Sequence, residues 1–208
     1  MKKVLLIILV IVAFMNVIKP EDSVNARKLF YAEEFYLYVM NLYYDNPNLL
    51  RNIRFMQWAL KAPFDDPVRS LAKITNECEF KRYRLLFKFH VTLLIVDSYL
   101  QLAHRFDKEH LYFFNYRYAK DIKESFELSK FFYNRALIYW NEAKKYIPSI
   151  NKIPCRINLD KWEDEFYMVK KGDLNLEPII TDRMNLLDKR IAILTNYISK
   201  DSTSQNLN

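Results

Sequence analysis

Glycine is nearly missing from this chain: one residue of 208, Gly172, is a glycine, whereas average usage of about 7% would give roughly fifteen. Phosphate loops, dinucleotide-binding fingerprints and nucleophile elbows each need two or more glycines, because their backbone turns tightly or approaches a phosphate closely. None of these motifs can be built here. Hairpin turns also draw on glycine at positive φ, so β-rich folds are disfavoured and a helical protein is expected.

Cysteine is also scarce, with Cys78 and Cys155 as its two representatives. They lie far apart in the sequence, without the short spacing that is typical of a metal site or a redox motif. An oxidising compartment permits a disulfide between them, which would stabilise by about 4 kcal/mol in the chain-entropy model. Two buried free thiols are the alternative, and the sequence leaves both open.

The first residues predict export from the cytoplasm. Lys2 and Lys3 precede an almost wholly apolar stretch, 4–18, and residues 24–26 then offer the small side chains of a signal-peptidase site. As a helix, the apolar stretch would be about 22 Å long, against roughly 30 Å for the hydrocarbon core of a membrane. A cleaved signal peptide (1–26) is therefore favoured over an uncleaved inner-membrane anchor. In either case the bulk of the chain is expected in the periplasm.

Charged residues of both signs are plentiful, with 32 lysines and arginines against 25 acidic residues and a net charge of +7. The basic residues are spread along the chain and do not form the clustered stripe of a DNA-binding protein. Export also argues against nucleic acid as a partner. A mild positive charge suits an acidic envelope surface or an acidic protein.

Helical periodicity after residue 26 is interrupted by proline and asparagine, which act as helix ends. Asn46 and Asp66 are expected to cap helices, Pro148 to stop one, and Gly172 to end another. A polar tail, 200–208, is expected to be disordered. The predicted helices cover 27–44, 47–61, 66–74, 76–106, the segment from 119 to 147, 159–171 and 178–199.

Two sets of residues have the spacing of a tetratricopeptide (TPR) repeat, in which small side chains let two antiparallel helices approach closely. The interval between the two sets is too long for one standard repeat. The predicted fold is therefore all-α, a TPR-like antiparallel helical array that forms a single domain (27–148), with the helices of 149–199 packed on it. The repeat-packing residues are Tyr99, Leu102, Ala103 and Phe106 in one helix and Ala136, Trp140, Ala143 and Pro148 in the next.

Catalytic and metal-binding patterns are weak. His90, Asp97 and His104 share one face of a helix, but seven residues rise about 10.5 Å, which is too far for one shared metal ion. Ser98 with His90 and Asp97 lacks an oxyanion loop. We therefore expect these side chains to be paired in or near the core, and we predict no enzymatic activity, no metal and no cofactor.

Three acidic clusters, 33–34, 65–66 and 163–165, are expected to be solvated surface. Adjacent carboxylates on a helix point in different directions, so they do not form an acid/base pair by themselves. These clusters therefore predict no catalytic site.

Aromatic side chains in 30–44 and 112–118 are more numerous than one helical stripe can bury. Core filling is one explanation. The other is a docking surface, because tyrosine and arginine are enriched where proteins bind proteins. The predicted contact residues are Tyr112, Phe113, Tyr116, Arg117 and Tyr118.

Three segments carry a resemblance to a known group of proteins: Ala62-Pro63-Phe64-Asp65-Asp66-Pro67, Lys73-Ile74-Thr75-Asn76-Glu77-Cys78-Glu79-Phe80 and Asp107-Lys108-Glu109-His110-Leu111-Tyr112-Phe113-Phe114-Asn115. Together with the TPR-like end at 136–148, the chain resembles small exported TPR-like proteins of spirochaetes over residues 27–148. Several proteins of that kind build the periplasmic collar of the flagellar motor.

The resemblance implies a non-enzymatic scaffold or adaptor that joins other proteins of an envelope or flagellar motor complex. The alternative is a cell-envelope glycan-binding protein or hydrolase. That alternative requires a pocket in which polar groups converge.

Overall fold

The structure, a computed structural model, describes residues 28–42, 48–107 and 116–205, so the predicted signal or anchor (1–26) lies outside the described residues. Within these ranges every regular element is helical, which confirms the all-α class. Two short 3₁₀ turns, Pro67–Arg69 and Tyr116–Tyr118, accompany the α-helices. The α-helices are α1 (Ala32–Leu42), α2 (Leu49–Lys61), α3 (Glu77–Asp107), α4 (Ala119–Asn151), α5 (Asp160–Lys171) and α6 (Glu177–Gln205).

Side chains cap the N-terminal ends of the first elements. Helix α2 begins after Asn48, whose side chain accepts a hydrogen bond from the backbone N–H of Arg51 at 3.1 Å. The predicted cap, Asn46, lies outside the described residues. Asp66 does cap the next element by accepting from the N–H of Val68 at 2.9 Å. That element is one 3₁₀ turn instead of a helix to residue 74, because the N–H of Leu71 donates to a side chain of α3.

Helix α3 begins at a pair of reciprocal capping bonds. The side chain of Asn76 accepts from the N–H of Glu79 at 3.0 Å. The carboxylate of Glu79 accepts in return from the N–H of Thr75 at 2.7 Å and from its hydroxyl at 2.9 Å. This arrangement satisfies N–H groups that a helix start leaves without partners. It places the start of α3 where the sequence predicts it.

Two helices extend further than predicted. Helix α4 continues through Pro148 to Asn151, so the prediction that Pro148 stops it is wrong. Its last turn is held from outside, because the guanidinium of Arg82 donates to the carbonyl of Ile150 at 3.1 Å. Helix α6 continues to Gln205, so residues 200–205 are helical where a disordered tail was expected.

Helices α3 and α4 run in opposite directions along their whole length. At one end the hydroxyl of Ser125 donates to the carbonyl of Phe106 at 2.8 Å, and at the other end Arg82 reaches Ile150. Small residues at the contact let the helices approach closely. Of the eight repeat-packing residues, Phe106 is half-buried, Pro148 is exposed, and the others are buried: Tyr99, Leu102, Ala103, Ala136, Trp140 and Ala143.

The remaining helices cover this pair. Helices α1 and α2 form a hairpin against α3, α6 runs along α4, and α5 packs on α3 through Trp162 and Phe166. Among the described helices, α3 is long and apolar enough to cross a membrane, but 61% of its most apolar window is buried inside the protein. Burial of this extent fits a central core helix, as its sequence predicts.

Candidate functional site: a cleft between α3 and the 62–67 turn

A surface cleft lies between the N-terminal half of α3 and the turn of residues 62–67. Its larger part has a volume of about 620 Å³, and an adjoining hollow measures about 380 Å³. Both parts are lined by Phe64, Arg84 and Lys88, so the two hollows adjoin each other. We call the two hollows together the α3 cleft.

The α3 side of the cleft carries rings and positive charges. Phe80, Arg84 and Lys88 recur every four residues and therefore share one helix face. The guanidinium of Arg84 lies 4.8 Å from the ring centroid of Phe80, and the ammonium of Lys88 lies 5.9 Å from that of Phe64. These are cation–π distances. Arg84 also approaches Glu77, at 4.0 Å.

The turn that forms the opposite wall is fixed by a buried carboxylate. Glu33 is 3% exposed; it accepts from the N–H of Asp65 at 3.1 Å and from the hydroxyl of Tyr83 at 3.1 Å. The N–H of Ala32 donates to the carbonyl of Pro63 at 2.9 Å. Burial raises the pKa of Tyr83, which keeps its hydroxyl a donor. The expectation that Glu33 is solvated is wrong, since α1 places it between the turn and α3.

A buried ion pair lies on the other side of α3. Arg82 and Glu163 have side chains that are 4% and 1% exposed, and the Nε of Arg82 donates to Glu163 at 2.6 Å. A second guanidinium nitrogen also donates to Glu163, and a third donates to the carbonyls of Ile150 and Ile153. Glu163 further accepts from the N–H of Ile157 at 3.3 Å. Glu163 is therefore also not the solvated surface that its cluster predicts.

His90 has the role of a paired core histidine. Its Nδ1 lies 2.6 Å from a carboxylate oxygen of Glu165 and its Nε2 lies 3.2 Å from the hydroxyl of Tyr36. Its ring stacks on Trp162 at 4.9 Å between centroids. Burial raises the pKa of Tyr36, which favours the neutral hydroxyl at this contact. These bonds use both ring nitrogens of the histidine, so a metal would have to displace one of these partners.

The other residues of the histidine face do not join His90. His104 is half exposed and lies 3.2 Å from Asp107 near the end of α3, while Asp97 bonds with Gln101. The hydroxyl of Ser98 donates to the carbonyl of Leu94 at 2.8 Å. Across 28–42, 48–107 and 116–205, no group of three or more His, Cys, Asp or Glu residues is placed to hold a metal ion.

Cys78 and Cys155 form a disulfide with their Cα atoms 6.2 Å apart. The bond ties the first turn of α3 to the segment between α4 and α5. Ile153, two residues before Cys155, lines the smaller part of the cleft. The disulfide therefore fixes one end of the α3 cleft.

The contact surface predicted from the aromatic run is described in part. Tyr112 and Phe113 lie outside the described residues, and Tyr116 begins a 3₁₀ turn. Arg117 and Tyr118 are exposed, and the guanidinium lies 5.9 Å from the Tyr118 ring centroid. This surface lies at the opposite end of the α3–α4 pair from the cleft.

Sequence reasoning missed the α3 cleft. A signal for its basic wall was present, because an aromatic residue and two cations recur at intervals of four in Phe80, Arg84 and Lys88. Nothing local indicates that Phe64, in a proline-rich turn, is the ring that faces Lys88.

Fold and cleft together define the class of this protein as an all-α protein with an open, basic and aromatic surface cleft. A family model described as a domain of unknown function (DUF8513) matches residues 78–197, more than half of the chain, and the chain belongs to this family. The matched residues hold both cysteines, the Arg82–Glu163 pair and the basic wall of the cleft. No curated protein and no solved structure matches the chain.

Proposed function

We propose that this protein is a non-enzymatic scaffold or adaptor that binds other proteins of a periplasmic envelope complex. It is exported by its N-terminal signal or held at the inner membrane by residues 4–18. The resemblance to exported TPR-like proteins of spirochaetes makes the flagellar motor collar the first complex to test. An envelope glycan-binding protein or hydrolase is the competing function.

The disulfide supports the proposed periplasmic location. Structural disulfides persist in oxidising surroundings such as the periplasm and are rare in the reducing cytoplasm. The bond between Cys78 and Cys155 closes a loop with a sequence separation of 77 residues, and such long loops give disulfides a large stabilising effect. A role outside the cytoplasm is consistent with this bond.

The proposed binding role depends on one observation, an exposed apolar face of α4. Leu128, Phe131 and Ile138 are 38%, 55% and 44% exposed, and their spacing places them on one side of the helix. Scattered exposed apolar residues need no explanation, whereas an aligned group is typical of a surface that another protein covers.

The antiparallel α3–α4 pair supports a TPR-like arrangement. Ala103 and Ala136 are fully buried on the faces of the pair that approach each other, as small residues are in helical repeats. The helices contain 31 and 33 residues, so each is nearly as long as a whole TPR repeat of about 34 residues. We therefore propose an extended relative of the repeat, whose outer faces bind partners.

The experiment compares two substitutions that each add one negative charge, one on the α4 face and one away from it. The full chain, tagged at its C-terminus, is produced in its native cells as wild type, Phe131→Asp or the control Asn196→Asp, at an exposed polar position on α6. Envelope complexes are crosslinked and purified, and the recovered proteins are identified. We expect wild type and the control to recover the same motor or envelope proteins, and Phe131→Asp to recover at least about tenfold less of them.

Equal recovery by all three chains, or no protein enriched over an untagged strain, would contradict the proposed function. Consumption of peptidoglycan fragments by the purified protein would favour the hydrolase instead. A thiol titration of the exported protein should find no free cysteine, in agreement with the disulfide.

A further inference from the structure

We propose that the α3 cleft binds an extended acidic segment of a partner protein, with carboxylates against Arg84 and Lys88 and an apolar side chain between Phe64 and Leu85. This inference rests on the proposed adaptor role, because it assigns the chemistry of one partner segment. The cleft lies at the opposite end of the α3–α4 pair from Tyr118, and no residue of the α4 face lines it. It is therefore a second contact site.

Uncompensated charge is the first argument. Lys81, Arg84 and Lys88 line the smaller part of the cleft, and none of its lining residues is acidic. Glu77 neutralises part of this charge, since it lies 3.8 Å from Lys81 and 4.0 Å from Arg84. Among the described residues, no carboxylate lies within ion-pair distance of Lys88, whose ammonium lies over the ring of Phe64. An anionic ligand would supply the missing partner.

The apolar lining is the second argument. Phe64, Leu85 and Ile153 lie beside these cations, so a ligand that fills the cleft must combine negative charge with apolar surface. Cation–π contacts hold Arg84 and Lys88 against the rings, which leaves their outer N–H groups for carboxylates. A peptide in which acidic and apolar side chains alternate meets both demands.

The turn side of the cleft distinguishes a peptide from a nucleic acid. Asp65 and Asp66 line that side, at the larger part of the cleft. Their carboxylates would repel a phosphate backbone that crosses from the basic wall to the turn. A peptide backbone, in contrast, offers N–H groups to these same carboxylates. The two walls, one basic and one acidic, therefore fit a peptide better than a polyanion.

The cleft is formed before any ligand arrives. The carboxylate of Glu33 accepts a hydrogen bond from the N–H of Asp65. Just beyond the turn, the N–H of Leu71 donates to the hydroxyl of Tyr83 at 3.2 Å. The disulfide fixes the segment that carries Ile153. A site held in this way loses little conformational entropy on binding, which favours affinity.

The test uses the full exported chain with its disulfide intact. The probes are a fluorescein-labelled peptide of four glutamates around a central tryptophan, its counterpart with four lysines, and a labelled single-stranded DNA of equal negative charge. Binding is measured by fluorescence anisotropy at low and at physiological salt. We expect saturable binding of the glutamate peptide, weakened by salt, and at least about tenfold weaker binding of the other two probes.

Charge reversal then locates the site. Lys88→Glu should weaken binding of the glutamate peptide by at least about tenfold, and Lys88→Gln, which keeps most of the apolar stem, by about threefold. Lys189→Glu, the same charge change at an exposed position on α6, should alter binding less than about twofold. Circular dichroism confirms that each variant is folded.

The inference is overturned if wild type shows no saturable binding up to about 1 mM peptide. It is also overturned if Lys88→Glu binds like wild type, or if the DNA binds as tightly as the glutamate peptide. Crosslinking separates this failure from failure of the adaptor role. Partners recovered equally by wild type and Lys88→Glu reject the cleft alone, whereas peptide binding without any recovered partner rejects the adaptor role.

Discussion

Arg82 and Arg84 lie two residues apart on α3, in opposite surroundings. Two residues on a helix are separated by about 200° of rotation, so one arginine points into the protein and the other into the cleft. The Arg82 side chain is 4% exposed and forms an ion pair with Glu163, whereas the Arg84 side chain is 41% exposed and lies over the ring of Phe80. The same side chain therefore stabilises the fold on one face of α3 and remains available for binding on the other.

The two arginines contribute differently to stability because one loses its hydration on folding and the other keeps it. Burying a guanidinium is costly unless a carboxylate and further acceptors replace its hydration, and Arg82 has Glu163 and the carbonyls of Ile150 and Ile153. Arg84 keeps its hydration, so its contacts contribute little to stability. The buried ionic contacts of α3 therefore define its orientation, whereas its exposed ones are free to change partners.

The largest expected effect comes from removing one half of the buried pair. Arg82→Met should lower the free energy of unfolding by about 3–5 kcal/mol, because it leaves the Glu163 carboxylate buried without its counterion. Arg84→Met, the matched change on the exposed face, should alter that free energy by less than about 0.5 kcal/mol. Urea unfolding followed by circular dichroism measures both.

A double variant tests whether the lost stability comes from the unpaired buried charge. Replacing both partners, Arg82→Met with Glu163→Leu, removes the buried charge altogether and should recover much of the lost stability. Equal losses for Arg82→Met and Arg84→Met would show that the two faces of α3 do not differ in the proposed way.

Much of the fold is predictable from the sequence because its signals are local. Asp66 and Gly172 act at the helix ends where their residue types predict, and α3 and α5 span nearly the residues that periodicity assigns to them. Pro148 misleads, because the contact that holds the last turn of α4 comes from Arg82 on another helix. Local patterns therefore fail where a distant side chain supplies the missing contact.

The site was less predictable for the same physical reason. Glu33 and Glu163 look like surface residues beside other acids, yet their partners Tyr83 and Arg82 lie 50 and 81 positions away. No sequence window that detects helices reaches so far. The cleft likewise depends on Phe64 meeting Lys88 across two chain segments.

A smaller loss of stability is expected at Tyr83, a buried residue that supports the wall of the α3 cleft. Tyr83→Phe removes the hydroxyl that links Glu33 to the N–H of Leu71, and should lower the free energy of unfolding by about 1–3 kcal/mol. The variant should also weaken binding of the glutamate peptide, because the turn is less firmly held. Tyr99→Phe, at a buried tyrosine that stacks on Tyr139, is the control for stability and should leave peptide binding unchanged. Unchanged binding in Tyr83→Phe would show that the turn is held without it.

The smallest effect on stability is expected at the first turn of α3, which precedes both Arg82 and Arg84. Hydrogen bonds from Thr75, chiefly from its backbone N–H, lower the pKa of Glu79 below its ordinary value of 4.5. A lowered folded-state pKa means that the carboxylate stabilises the fold above about pH 4.5 and that this contribution is lost as the pH falls through the folded value. Glu79→Gln should therefore be less stable than wild type at pH 7, and the difference should shrink at pH 3.

The comparison with Glu124→Gln, at an exposed acidic position in α4, separates capping from loss of charge. Urea unfolding of both variants at the two pH values should show a pH-dependent loss for Glu79→Gln that clearly exceeds that of Glu124→Gln. If the two losses are equal, the first turn of α3 does not depend on the Glu79 carboxylate. The orientation of Phe80 and Arg84 would then follow from the disulfide and the Arg82–Glu163 pair, because these contacts fix the same turns of α3 from the core side.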